Sequence, residues 1–287
     1  MKPAYVYEAL NWASSFLEKK GREPRAAELL MKHHLDKDWT DFHLSRRDKL
    51  SASAWEAFAE DVRQHGKGVP IQQLRGYEEF YGRRFHVNSS VLIPRPETEE
   101  LVQGVLEWIR KQNLSTLQIA DIGTGSGAIA TTLALEAPNT TVEAVELEEK
   151  ALAAAEENAS DLGAKVTFFQ GNLMDPLLQT DKKYDVIVSN PPYIPEREWH
   201  HLDPLVRDYE PKQALVGEEE GLACYRKIAA HLPALLQPRG LAAFEIGERQ
   251  AEAVAAILQT ALPAADIEVR RDLNGKQRMV FCERNDV

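Results

Sequence analysis

Residues 121–128 read DIGTGSGA. An apolar run over 117–122 leads into them, and a helical apolar pattern over 128–136 leads out. The glycines let the backbone turn sharply between the two and approach a ligand closely. Strand, glycine turn and helix in that order open a doubly wound α/β sheet. The pattern continues outward from Leu114. Further strands are expected at 142–147, 166–170, 184–189 and 240–246, and helices at 150–162, 219–236 and 250–262. Two last strands, 267–271 and 278–282, flank Asn274-Gly275. That makes seven strands, whose spatial order the sequence leaves open.

The fourth strand runs into a second informative segment, YDVIVSNPPY at 184–193. Val186, Ile187 and Val188 suit a strand buried on both faces. Pro191 and Pro192 cannot continue it, because they lack the backbone N–H and fix φ. Asn190 is therefore held at the carboxyl end of a buried strand, the edge where open α/β sheets bind ligands. Its side-chain carbonyl and the carbonyl of Pro191 are two acceptors able to hold both hydrogens of a substrate –NH2. Tyr193 adds an aromatic face for a flat amide or base. Such a clamp orients a poorly nucleophilic planar nitrogen toward an electrophile.

The electrophile follows from the glycine turn. Glu146 ends the next strand, where a carboxylate takes ribose hydroxyls. A nicotinamide dinucleotide would satisfy that much. Asp121, two residues before Gly123, would be unwelcome beside a pyrophosphate but suits the cationic amino group of S-adenosylmethionine. A methyl sulfonium is also what an immobilised –NH2 would attack. Taken together, the two motifs put methyl donor and acceptor clamp on one sheet edge.

The rest of the chain supplies context. Residues 1–75 read as helices over 3–20, 24–35 and from Ser51 or Ser53 onward, a small bundle for recognition or stabilisation. His33, His34, His43 and His65 lack paired metal spacing, and no metal is expected. Residues 76–96 form a linker, with a hairpin expected about Asn88-Ser89. IPRPETEELV, 93–102, enters a helix at Pro96 or Glu97. Its pattern favours a well-capped helix; a functional reading has Arg95 and Glu97 bracing the substrate at the domain junction. A methyltransferase domain is expected over 97–287. The net charge of −11 is uneven: residues 1–75 hold 13 Lys+Arg against 11 Asp+Glu, and the remainder 21 against 34. An acidic main domain is a poor footprint for nucleic acid and suits a protein partner better. Two cysteines give no disulfide framework, and neither a signal peptide nor a membrane-spanning run is read in the sequence, so a cytoplasmic protein is expected; a monomer is expected as well, though the sequence carries no signal for oligomeric state.

The chain resembles the HemK/PrmC family of release-factor glutamine N5-methyltransferases over nearly its whole length. The resemblance rests on IPRPETEELV at 93–102, ADIGTGSGAIA at 120–130, VIVSNPPYIP at 186–195, YEPKQAL at 209–215, EIGERQ at 245–250 and DLNGKQR at 272–278. It implies a Rossmann-like S-adenosylmethionine methyltransferase domain behind a helical domain that grips the substrate protein. The implied substrate is the glutamine of the Gly-Gly-Gln motif of class 1 peptide chain release factors. By matching motif, Gly123, Thr124, Gly125, Ser126 and Gly127 wrap the methionine moiety and Glu146 takes the ribose. Asn172 and Leu173 border the adenine. Asn190 and Pro191, followed by Pro192, clamp the glutamine amide while Tyr193 packs on it. Glu146 stands where Asp is usual in relatives, and Asn172 where many have Asp. Gly217 to Gly221, GEEEG, departs from the usual form and carries no functional assignment. Two rivals remain: an adenine-N6 methyltransferase acting on DNA or RNA, opposed by the acidic charge, and a non-catalytic cofactor-binding regulator, opposed by the intact motifs.

Overall fold

A computed structural model describes residues 3–112 and 116–285. Leu114, where the alternation was expected to begin, lies outside the described residues. The chain forms two compact units, Met1–Tyr77 with Asp203–Tyr209, and Glu78–Leu202 with Glu210–Val287.

The first unit is helical. α1 (Val6–Lys19), α2 (Ala26–His34) and α4 (Ala52–Lys67) enclose Ala9, Ala13, Leu17, Leu30, Met31, Phe58 and Val62 at helical spacing. Ser51 caps the last of these by accepting from the Ala54 N–H at 3.1 Å. Two short helices went unread, α3 (Trp39–Leu44) and α5 (Ile71–Arg75); each is too brief for apolar periodicity to register. The segment Asp203–Tyr209 completes this unit, where the Gln73 side chain donates to the Tyr209 carbonyl at 2.7 Å.

A hairpin of Tyr77–Phe80 and Arg83–His86 follows, all of it but Tyr77 in the second unit. Its turn is Tyr81-Gly82, both at positive φ (52° and 73°), which corrects the expected turn at Asn88-Ser89. Asn88 instead folds a local turn, its side chain accepting from the Ser90 N–H at 2.8 Å. α6 (Pro96–Lys111) follows, with Pro at its first position as expected.

The seven-stranded sheet comprises β1 (Leu117–Ile122), β2 (Thr140–Glu146), β3 (Val166–Gln170), β4 (Tyr184–Ser189), β5 (Leu236–Glu245), β6 (Asp266–Arg271) and β7 (Gln277–Glu283). In space the order is β6-β7-β5-β4-β1-β2-β3. The first five are mutually parallel, and β7 enters antiparallel between β5 and β6. The connecting helices are α7 (Ala128–Glu136), α8 (Glu149–Asp161), α9 (Ala223–Leu235) and α10 (Ala251–Ala261). β4 shows why the apolar runs are continuous. Val186 and Val188 pack into the core under α6 and α7, while Ile187 packs into the opposite core under α9 and α10. Among the described residues, no helix is long and apolar enough to cross a membrane.

The helix expected from 219 begins only at Ala223. Glu219 and Glu220 hold left-handed backbone (φ 51° and 59°), with Gly221 at 79°. Three consecutive left-handed residues make a tight arch, and two of them carry a Cβ that disfavours it.

Candidate active site

Parallel strands bring their carboxyl ends to one edge, and order and register decide what meets there. The glycine turn leaves β1, Glu146 ends β2, and Asn190 follows β4. Ser189 pairs with Phe244, so the next residues on those adjacent strands are Asn190 and Glu245.

One cavity opens at this edge. Its walls include Gly123, Thr124, Gly125 and Ser126 from the turn, and Glu146 from β2. Asn172 and Leu173 line it beyond β3, Asn190 and Pro192 beyond β4, and Arg95 before α6. Gly123 and Gly125 have φ of 74° and 58°, and a Cβ on either would meet no protein atom within 4 Å. Protein packing therefore leaves the space beside these two glycines free, a cradle that a side chain would fill. The Glu146 carboxylate faces the turn, accepting from the Gly125 N–H at 2.8 Å and from Leu147 and Glu148 at 2.9 and 3.0 Å. Leu173 also has positive φ, 49°.

Several expected residues stand behind this wall. Gly127 packs against α8, where a Cβ would come within 3.1 Å of Ala155. Asp121 is fully buried beneath the turn. Its Oδ2 accepts from the Thr124 hydroxyl at 2.6 Å and the Ala130 N–H at 3.2 Å, while its Oδ1 is buried with no partner. Burial pushes this carboxyl up to about 7, the two hydrogen bonds opposing and the Glu146 charge adding. Pro191 is buried and Tyr193 half-buried; neither is on the cavity wall. Glu97 is also off the wall. Arg95 reaches the wall, but its guanidinium is committed to the buried Glu210 carboxylate, which also accepts from the Ile93 N–H at 3.3 Å.

The segments around the tetrad Asn190-Pro191-Pro192-Tyr193 hold residues that the sequence reading did not single out. Glu245 is 2% exposed; its Oε2 accepts from the Thr98 hydroxyl at 2.6 Å and its Oε1 from the Tyr193 hydroxyl at 3.4 Å. Burial pushes it up to about 7, with Thr98 and the Arg278 charge pulling down and Glu97 pushing up. The Asn190 Nδ2 donates to Thr98 Oγ1 at 3.3 Å. Gln250 donates to the Tyr193 carbonyl at 2.9 Å and the Glu220 carbonyl at 3.2 Å, fastening the left-handed arch to the tetrad. Asn158 donates to the Ser126 carbonyl at 2.9 Å and so fixes the glycine turn from α8. The available signal for Glu245 was a lone carboxylate closing the apolar run LAAFE, in the same position on its strand as Glu146 on β2.

The strand order, the glycine turn and the tetrad on one edge define a methyltransferase of the seven-stranded class. A methyltransferase from Pyrococcus furiosus superposes with a TM-score of 0.51 at 16% identity, covering 72% of this chain and 91% of that one, which is a likeness of fold. Family models of the PrmC N-terminal domain and the methyltransferase small domain match residues 8–76 and 103–203. The release factor glutamine methyltransferase of Bacillus anthracis is 50% identical over 97% of this chain and 99% of its own length. That of Bacillus subtilis is 43% identical over 96% of both. The chain belongs to the release factor glutamine methyltransferase family.

Proposed function

We propose that this enzyme methylates the side-chain amide nitrogen, N5, of the glutamine in the Gly-Gly-Gln motif of class 1 peptide chain release factors, with S-adenosylmethionine as donor. The observation that carries the reading is a single cavity walled both by the glycine turn with Glu146 and by Asn190 with Pro192. Donor and acceptor sites that share a cavity permit direct transfer, with no covalent enzyme intermediate.

The residues present fit the donor. The open cradle at Gly123 and Gly125 admits its methionine end. The Glu146 carboxylate retains acceptor capacity for ribose hydroxyls, since three donors occupy roughly four lone-pair sites. Asn172 and Leu173 would border the adenine. Asp121, buried and with one oxygen unpartnered, sets a negative potential beneath the turn that favours a cation above it. Bound there, S-adenosylmethionine would supply an electrophilic methyl group on sulfur.

The chain's own residues then position the nucleophile. Asn190 Oδ1 and the Pro191 carbonyl accept the two amide hydrogens of the glutamine and aim its nitrogen lone pair along the transfer line. Acceptors that favour a pyramidal nitrogen act most strongly in the transition state. Tyr193 supports the clamp from behind. The proton lost from the methylated amide leaves through these acceptors or solvent. Arg95 and Glu97 would act on the substrate indirectly, through the geometry of the entry to α6. The helical residues 1–75 would recognise the substrate protein, with 76–96 as linker and 97–287 as catalytic domain.

The test is methyl transfer from labelled S-adenosylmethionine to an unmodified class 1 release factor, with the modified residue located by peptide mass spectrometry. One methyl on the Gly-Gly-Gln glutamine is expected, with the rate cut to a small measurable residue in Asn190→Ala while cofactor affinity persists. Transfer to adenine in nucleic acid and none to the factor would overturn the substrate.

A further inference from the structure

Asn190 can serve as an acceptor only if its amide is turned the right way. With Oδ1 toward the substrate, it receives a hydrogen; with Nδ2 toward the substrate, two donors oppose each other and the clamp fails. The two orientations have nearly the same shape, so packing alone discriminates weakly between them. The hydrogen-bond chain behind Asn190 discriminates strongly.

Thr98 has one hydroxyl proton. Its Oγ1 stands 2.6 Å from Glu245 Oε2, and the ionised carboxylate can only accept, so in that form of the site the proton is committed to Glu245. Thr98 Oγ1 is then left with lone pairs alone. The neighbouring end of the Asn190 amide, at 3.3 Å, must be the donor, Nδ2. Oδ1 is thereby directed away from Thr98. The other oxygen of Glu245 takes the Tyr193 hydroxyl at 3.4 Å, so one carboxylate sets the direction of hydrogen bonding on two members of the tetrad. Thr98 is 5% and Glu245 2% exposed, so water competes little for these two groups, while Asn190 and Tyr193 are half-buried.

We propose that Glu245, acting through the Thr98 hydroxyl, fixes the side-chain amide of Asn190 with its oxygen presented to the substrate nitrogen. Thr98 and Glu245 are thus positioning residues for the transfer, and neither touches the reacting atoms. The proposal deepens the glutamine-methylation reading and rests on it. Removal of the Thr98 hydroxyl frees the amide to sample both orientations and leaves Glu245 short of a donor. The effect falls on kcat, because substrate-protein affinity and cofactor binding depend on other groups.

The experiment compares Thr98→Val, Thr98→Ser and Asn190→Ala singly, and Thr98→Val combined with Asn190→Ala. Release-factor methylation gives kcat and KM, and titration gives cofactor Kd. Thr98→Val is expected to lower kcat by about 10- to 100-fold, the scale of a misplaced positioning contact. KM and cofactor Kd should stay near the wild-type values, and Thr98→Ser should recover most of the loss. Thr98→Val should add nothing once Asn190 is alanine, since Thr98 acts only through that amide. Thr98→Ala removes the hydroxyl without placing a methyl beside Glu245 and serves if valine is not accommodated. Wild-type kcat in both hydroxyl-free variants, or an undiminished further loss on the Asn190→Ala background, would overturn the relay. Wild-type transfer is measured in the same series. Absent transfer there marks failure of the functional reading, whereas transfer indifferent to the Thr98 hydroxyl marks failure of this one.

Discussion

Gly221→Ala should cripple transfer from a position that touches no substrate. A Cβ at Gly221 would overlap the Tyr193 carbonyl oxygen and stand 2.6 Å from its carbon and 2.7 Å from Gln250 Nε2. Ordinary contact begins at 3.4 Å, so the Tyr193 carbonyl carbon must retreat by about 0.8 Å and its oxygen by more, or the arch must open. The retreat would also break the Gln250 bond to the Tyr193 carbonyl. Displacements near 1 Å in a positioning group cost up to about 100-fold in rate, so a loss of tens-fold in kcat is expected. The left-handed backbone (φ 79°) adds about 1–2 kcal/mol of destabilisation for alanine. The assay is release-factor methylation beside a thermal melt and a cofactor titration. Gly82→Ala is the control: it has similar left-handed backbone (φ 73°), but its Cβ would meet nothing within 4 Å. Gly82→Ala should lose stability and keep kcat, and Gly221→Ala should lose both. A kcat for Gly221→Ala within about twofold of wild type, with fold and cofactor affinity intact, would refute the idea that the arch holds the tetrad in place.

Two further outcomes concern the donor side. Asp121 is held up to about 7 chiefly by burial, and a cationic ligand above the turn favours its ionised form and lowers that value. Binding therefore releases a proton between the bound and free values. Cofactor affinity should rise with pH up to about 7 and level off above it; Asp121→Asn should flatten the profile, and an identical slope in that variant would exclude Asp121 as its source. Gly125→Ala places a methyl in the open cradle, and a steric cost of about 1.4 kcal/mol would already weaken cofactor binding tenfold. Calorimetry should register that loss against a stability change of only about 1–2 kcal/mol from the left-handed backbone; undiminished affinity would remove the cradle from the cofactor site.

The sheet was legible because its strands are buried on both faces. Runs such as Val186-Ile187-Val188 need no alternation to be recognised, and Pro191-Pro192 mark where one must stop. The arch at Glu219–Gly221 was illegible for the opposite reason. Glutamates are good helix formers, and contacts distant in sequence, such as those of Gly221 and Gln250 with Tyr193, accompany their left-handed backbone. The hairpin turn was misplaced because Tyr81 is an unusual residue at positive φ, whereas Asn88-Ser89 has ordinary turn composition. At the cavity, Gly123 to Ser126, Asn190 and Pro192 reach the wall from continuous motifs, whereas contacts made only through space left no mark in the sequence. Thr98 lies 147 positions from Glu245, and nothing in either segment announces that they share a proton. Asp121 was read as a partner for the cationic amino group of S-adenosylmethionine; its side chain lies buried beneath the turn, a direction that spacing does not encode.

The place of β7 bears on how the sheet is completed. This strand follows the other six in sequence, yet it lies inside the sheet, with Met279 paired to Glu245. Until β7 inserts, β5 lacks its antiparallel neighbour and the strand end that carries Glu245 is open on one side. A chain that folds from its amino end therefore keeps an unpaired edge beside Glu245 until the seventh strand arrives to close it.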